Sequence, residues 1–184
     1  VRFIINSATG SLRSRRAEKL TDAVRRCLGS VDGVFEIKVA GGKGSAGSLS
    51  RAAVDMGDEA VFACGGDGAI NEVATPLVGS STALGVVPWG SGNGFAKSLG
   101  IPEGLDPAIE LIKRNKVREI DTGVICGRYF FSTAGCGFDA HLSKKYSEGR
   151  LGKKLRGHMP YFPIAMVEFF RYKTEPVVIK TSRF

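Results

Sequence analysis

Apolar positions along this chain fall into two alternating rhythms: short continuous runs, and longer stretches in which every third or fourth residue is apolar. The alternation predicts strands and helices in turn. Val1–Ile5 is a first run, closed by a polar turn at Asn6–Gly10. Leu20, Val24, Cys27 and Leu28 then recur at helical spacing, with Arg15, Arg16, Lys19, Arg25 and Arg26 on the other face. Phe35, Ile37 and Val39 alternate with Glu36 and Lys38, the pattern of a half-buried strand. Gly41–Ser50 reads as a glycine and serine loop before a helix at about 51–56. Ala60–Cys64 and Leu84–Val87 are two further apolar runs, each followed by a glycine cluster and a helical pattern. Strand and helix in strict alternation predict an α/β fold with a doubly wound parallel sheet.

The rhythm changes near residue 121. A helix expected at about 106–115 gives way to two β-rich runs, Val117–Cys126 and Tyr129–Thr133, joined at Gly127-Arg128. That junction predicts a hairpin, and hairpins belong to antiparallel sheets. The expected organisation is an α/β domain over 1–121 and the start of a β-rich antiparallel second domain over 122–184, with helices, cut short. Within the latter, Lys144–Arg156 reads as a basic mobile loop, Met159–Tyr172 as an aromatic helix and Val177–Lys180 as a strand.

At 184 residues the chain can hold one good-sized domain and part of another. Its net charge of +8 and isoelectric point near 9.5 call for an anionic partner, a description that nucleotide, nucleic acid and acidic membrane all meet. The basic residues do not interleave with aromatics on any recognisable nucleic-acid motif, which argues against nucleic acid. Cys27, Cys64, Cys126 and Cys136 show no C-x-x-C spacing and read as buried free thiols in a reducing compartment. The first apolar run is too short for a signal peptide, and none reaches the roughly 18 residues of a membrane span. A cytoplasmic protein is expected, peripheral to a membrane at most.

The candidate chemistry lies in the glycine clusters. Gly65-Gly66-Asp67-Gly68-Ala69-Ile70-Asn71-Glu72 and Pro88-Trp89-Gly90-Ser91-Gly92-Asn93-Gly94-Phe95-Ala96 each put a tight loop between a strand and a helix. Phosphate sites in α/β folds are built there, because glycine lets the backbone approach an anion and a helix start offers free N–H groups. Asp67 reads either as the cap of the following helix or as a ligand-facing carboxylate; glycine on both sides favours the second. Asn71 or Glu72 could bond a ribose, or a water on an adenine or a magnesium ion. Other patterns carry less. Gly42-Lys43-Gly44-Ser45 lacks the spacing of a Walker loop, and Gly135–Ala140 is a lone, misplaced match to the dinucleotide fingerprint. His141 and His158 lack metal-ligand spacing and read as a helix-surface and a loop residue.

In order and spacing, Gly65–Val73 (GGDGAINEV), Pro88–Pro102 (PWGSGNGFAKSLGIP), Ile120-Asp121-Thr122-Gly123 and Phe138-Asp139-Ala140 resemble the catalytic region of the diacylglycerol kinase and sphingosine kinase superfamily. The likeness to its bacterial soluble lipid kinases extends to Gly157–Tyr161. NAD kinases, distant relatives, share the GGDG loop without Asn-Glu after it. The resemblance implies an ATP- and Mg²⁺-dependent kinase that phosphorylates a lipid hydroxyl, with a membrane surface as transient partner. It implies a nucleotide held by Asn6, Ser7, Ala8, Thr9 and Gly10, by Gly65, Gly66, Asp67, Gly68, Ala69, Ile70, Asn71 and Glu72, and by Gly90, Ser91, Gly92 and Asn93. Asp67 is the catalytic candidate, with Asp121 and Asp139 second. Metal ligands are not assigned, and a homo-oligomer is left open.

The chain departs from the family pattern at Ser7 (usually Pro), Ala40 and Ala69 (often Thr) and Gly94 (often Asp). The family's late acidic segment, source of its general base, is not in this chain, so a fragment is expected. An NAD kinase-type enzyme of a soluble acceptor and a non-catalytic nucleotide-binding module stand as alternatives.

Overall fold

The computed structural model describes residues 1–6, 10–29, 35–42, 44–114, 116–148, 161–174, 176, 178 and 180. Contacts divide the chain into Val1–Ser132 and Thr133–Phe184.

In the first unit, β1 (Arg2–Asn6), β2 (Glu36–Ala40), β3 (Ala60–Gly65) and β4 (Ala83–Pro88) form one parallel sheet in the order β2-β1-β3-β4. Register runs Phe3 to Ile37 and Phe62, and Phe62 to Gly85. The central strands read as unbroken apolar runs because both of their faces are covered. Phe3, Ile5, Cys64 and Val87 face α1 (Gly10–Leu28) through Leu20, Ala23 and Val24, together with Ala108 and Ile109 of α5 (Leu105–Glu110). Ile4, Val61, Ala63 and Val86 face the opposite layer. That layer is made by α2 (Ser45–Asp55), α3 (Asp67–Ala74) and α4 (Gly94–Ser98), through Ala46, Ala53, Ile70, Val73, Phe95 and Ala96. The Phe3 and Phe62 rings stack at 4.7 Å, and Gly85 leaves room beside Phe62, where a Cβ would overlap the ring. The doubly wound parallel sheet expected from the sequence is present.

Two boundaries move. Helix α2 begins at Ser45, well before the expected start near 51, because Ala46, Ser50 and Ala53 are small enough to be buried against the layer beneath. The hairpin forms, as β5 (Gly123–Ile125) and β6 (Arg128–Phe130), but its turn is Cys126-Gly127 rather than Gly127-Arg128. Both turn residues have positive φ, 49° and 73°, the geometry that two-residue hairpins favour. Of the long β-rich run expected from 117, only 123–125 pairs.

The second unit contains α6 (Phe138–Glu148) and α7 (Tyr161–Arg171). Residues 144–148, expected in a loop, complete α6; the remainder of that loop, 149–156, and His158 lie outside the described residues. Of the expected strand 177–180, residues 178 and 180 carry no strand, and 177 and 179 lie outside the described residues. His141 Nε2 and Glu168 Oε2 are 2.6 Å apart, and the Phe138 ring meets those of Phe169 and Tyr172 edge-on. The hydrogen bond with His141 holds the Glu168 carboxyl below its ordinary range.

Only half of the cysteine expectation survives. All four thiols are free, with Cys27 and Cys64 buried, but Cys126 and Cys136 are exposed, one in the hairpin turn and the other just before α6. Burial pushes the Cys27 and Cys64 thiols up.

Candidate functional site

Because the four strands are parallel, Asn6, Ala40, Gly65 and Pro88 end on one edge of the sheet. Between β1 and β3 the winding reverses: β1 leads into α1 on one face and β3 into α3 on the other. Connections diverge at such a switch point and leave a crevice, the general place for ligands in open α/β sheets.

Two glycine loops flank it. The Trp89 amide donates to the Gly65 carbonyl at 2.9 Å, extending the β3–β4 pairing into the loops. Beyond it the backbones of Gly66 and Gly90 touch: a Cβ on Gly66 would lie 3.2 Å from Gly90 Cα, and one on Gly90 would collide with Gly66. Asn93 closes the second loop on itself. Buried, with φ of 54°, it accepts from the Gly90 amide (2.9 Å) and donates to the Gly90 carbonyl (3.0 Å).

Asp67 is the first residue of α3 but does not cap that helix. Its carboxylate crosses to the other loop, where Oδ2 accepts from Gly94 N–H (3.0 Å) and Oδ1 from Phe95 N–H (2.9 Å). These amides open α4, a helix without a local side-chain cap. The capping role weighed from the sequence is thus filled at a distance. The Gly66 carbonyl accepts from the Ala69 and Ile70 amides, so those of Asp67 and Gly68 precede the first bonded donors of α3.

The other expected site residues separate by environment. Asn6 ends β1, half-buried, and Gly10 begins α1. Ser7, Ala8 and Thr9 lie outside the described residues. Gly65 is buried, and a Cβ there would press on Ala69, 2.7 Å away. Ile70 is a core residue. Asn71 Nδ2 donates to the Tyr129 carbonyl of β6 at 3.1 Å. Glu72 Oε1 accepts from the amides of Ala46 (3.0 Å) and Gly47 (3.4 Å) at the start of α2. Ser91 is exposed and Gly92 half-buried. Asp121 is exposed, outside any helix or strand, just before β5, and Asp139 lies in the first turn of α6, in the second unit.

Sequence reasoning missed the partners of these side chains, namely Gly94, Phe95, Ala46, Gly47 and Tyr129. The one available signal was the lack of a Ser, Thr or Asp directly before α2. Gly68 stands apart: its φ is not positive and a Cβ there would meet no described residue within 4 Å, so neither the packing of those residues nor backbone conformation requires glycine. Among the described residues no group of three His, Cys, Asp or Glu side chains gathers as a metal cage. No described helix is long and apolar enough to cross a membrane. A groove of about 460 Å³ between α1 and α5, lined by Lys19, Asp22, Arg26, Leu105, Asp106 and Pro107, is spanned by an Arg26–Asp106 ion pair.

The family profile for the diacylglycerol kinase catalytic domain matches residues 1–125. "Probable lipid kinase YegS" of Salmonella dublin is 38% identical over 119 residues, covering 62% of this chain and 40% of that protein. "Probable lipid kinase YegS-like" of Enterobacter sp. is 34% identical over 120 residues, with the same coverage. Among solved structures, a diacylglycerol kinase from Bacillus anthracis str. Sterne superposes with a TM-score of 0.59 at 22% identity, covering 70% of this chain and 47% of the other. That likeness is one of fold. The chain spans less than half the length of each of these proteins.

Proposed function

This chain belongs to the diacylglycerol kinase catalytic domain family, and from that premise we propose that it is the nucleotide-binding part of an ATP-dependent lipid kinase. The observation that carries the reading is the pair of glycine loops at the β1–β3 switch point, fastened to each other by Asp67. Gly68 supports it. An exposed glycine in a helical turn costs up to about 1 kcal/mol relative to alanine, and no contact among the described residues here requires it. A phosphate approaching the backbone explains it.

In this reading the Asp67 and Gly68 amides, with the partial positive charge of the α3 start, receive phosphate oxygens. Asp67 holds the second loop in register, so Ser91 faces the same ligand. ATP supplies the phosphoryl group and Mg²⁺ its charge neutralisation. The described residues fit the nucleotide better than the ion, since no cage of acidic side chains gathers among them. Magnesium commonly takes one or two carboxylates and otherwise phosphates and water. Positioning and charge stabilisation are most of what phosphoryl transfer asks of a protein. The acceptor is a lipid hydroxyl, met at an anionic membrane surface.

The test is transfer of labelled γ-phosphate from MgATP, with mixed lipids present, into an organic-extractable product, beside MgADP binding by calorimetry. Label in the lipid phase, lost in Asp67→Ala, is the expected result. Label only in a water-soluble acceptor indicates a kinase of soluble substrates; binding without transfer shows a nucleotide-binding part that does not catalyse by itself. A protein that neither binds nor transfers is not a kinase.

A further inference from the structure

Glu72 lies in the second turn of α3, and its carboxylate is engaged with another helix. Oε1 accepts from the amides of Ala46 and Gly47, the second and third residues of α2. Those are among the donors that a helix start leaves unpaired. No nearby side chain serves them, because the cap position is Gly44, in a left-handed conformation and without a side-chain bond. The same seam is closed by Ser50 Oγ donating to the Val73 carbonyl at 2.6 Å. Gly47 permits the close approach, since a Cβ there would lie 3.3 Å from the Glu72 carbonyl oxygen. Helix α2 is therefore pinned to α3 at its amino end.

That end leads back to the crevice. Helix α2 follows β2, whose last residue Ala40 pairs with Asn6 at the strand-end edge. Ala46 and Ala53 share one buried cluster with Ile4 of β1 and Ile70 of α3. Helix α2 therefore starts at the strand-end edge, where Glu72 ties it to α3. We propose that Glu72 is a positioning residue of the nucleotide site: it fixes the amino end of α2 at the strand-end edge, against α3, without touching nucleotide or metal. The inference rests on the nucleotide-site reading above and narrows it.

A cap needs an acceptor oxygen, whereas a base needs the carboxylate and a cation is held more strongly by its negative charge. Glu72→Gln keeps an oxygen in place; Glu72→Ala removes it. The experiment measures MgADP affinity by calorimetry and amide hydrogen exchange at Ala46 and Gly47 in the full chain. Glu72→Gln should hold affinity within about twofold and keep both amides protected. Glu72→Ala should weaken MgADP by about tenfold, as expected for loss of a helix cap, with faster exchange at those two amides. If Glu72→Gln loses affinity as badly as Glu72→Ala while the amides stay protected, the carboxylate acts on the ligand itself and the proposal is overturned. Unchanged affinity in Glu72→Ala also overturns it. A wild-type protein that does not bind MgADP would fail the nucleotide reading itself, a result distinct from either variant outcome.

Discussion

Glycines in the two loops are there for different reasons, and substitution separates them. Gly66 and Gly90 are held by contact with each other, whereas the space around Gly68 is open. Gly68→Ala should therefore stabilise α3 by up to about 1 kcal/mol in urea unfolding, since alanine is the better helix former. The same variant should lose MgADP affinity, because the added methyl stands where a phosphate would approach the backbone. A stabilised variant with wild-type affinity would remove Gly68 from the site. The sequence revealed that a carboxylate among glycines was unusual but not what Asp67 would touch. Gly94 and Phe95 offer backbone amides, which leave no mark in the residue types. Asn93 is equally silent in the sequence: it stands at the cap position of α4, yet its side chain bonds Gly90.

At the scale of elements, α3 serves as a junction. Its side chains reach α4 through Asp67, β6 through Asn71 and α2 through Glu72. Local patterns found α3 and misplaced the start of α2, because the cap of α2 comes from a residue far along the chain. The hairpin was found because its turn chemistry is local, and misplaced by one residue because Cys is an unusual occupant of a left-handed turn position. The α6–α7 pair makes a pH prediction. Glu168 has an ordinary value of 4.5 that the His141 hydrogen bond lowers, with Lys145 and Arg171 adding to the effect. A lowered carboxylate contributes stability above its unfolded value and loses it as pH falls through its folded one. Acid titration below 4.5, followed through the Tyr172 ring signals, should loosen the α6–α7 contact in the wild type. Glu168→Gln should lack that acid limb.

Across the whole molecule, charge is uneven. Residues 133–184 hold ten Lys and Arg against four Asp and Glu, so most of the net +8 falls on the second unit. Vesicles rich in phosphatidylglycerol should therefore retain the protein at low salt and release it as the screening length drops toward about 10 Å near 0.1 M. Neutral phosphatidylcholine vesicles should not retain it, and salt-independent retention would point to apolar insertion instead. The fold of the first unit was legible because buried parallel strands write themselves as continuous apolar runs, as Arg2–Asn6 and Ala60–Gly65 do. The second unit was less so: basic residues such as Lys144 and Lys145 suit the exposed side of a helix as well as a loop. Finally, the Gly66–Gly90 contact limits how this chain can vary. Where a large residue meets a small one, as Phe62 meets Gly85, a change on one side can be answered by a change on the other. Two glycines have nothing left to give up, so neither position offers evolution a compensating step. In a mutational library selected for folding, that pair should remain fixed together while Ser91 beside it varies freely.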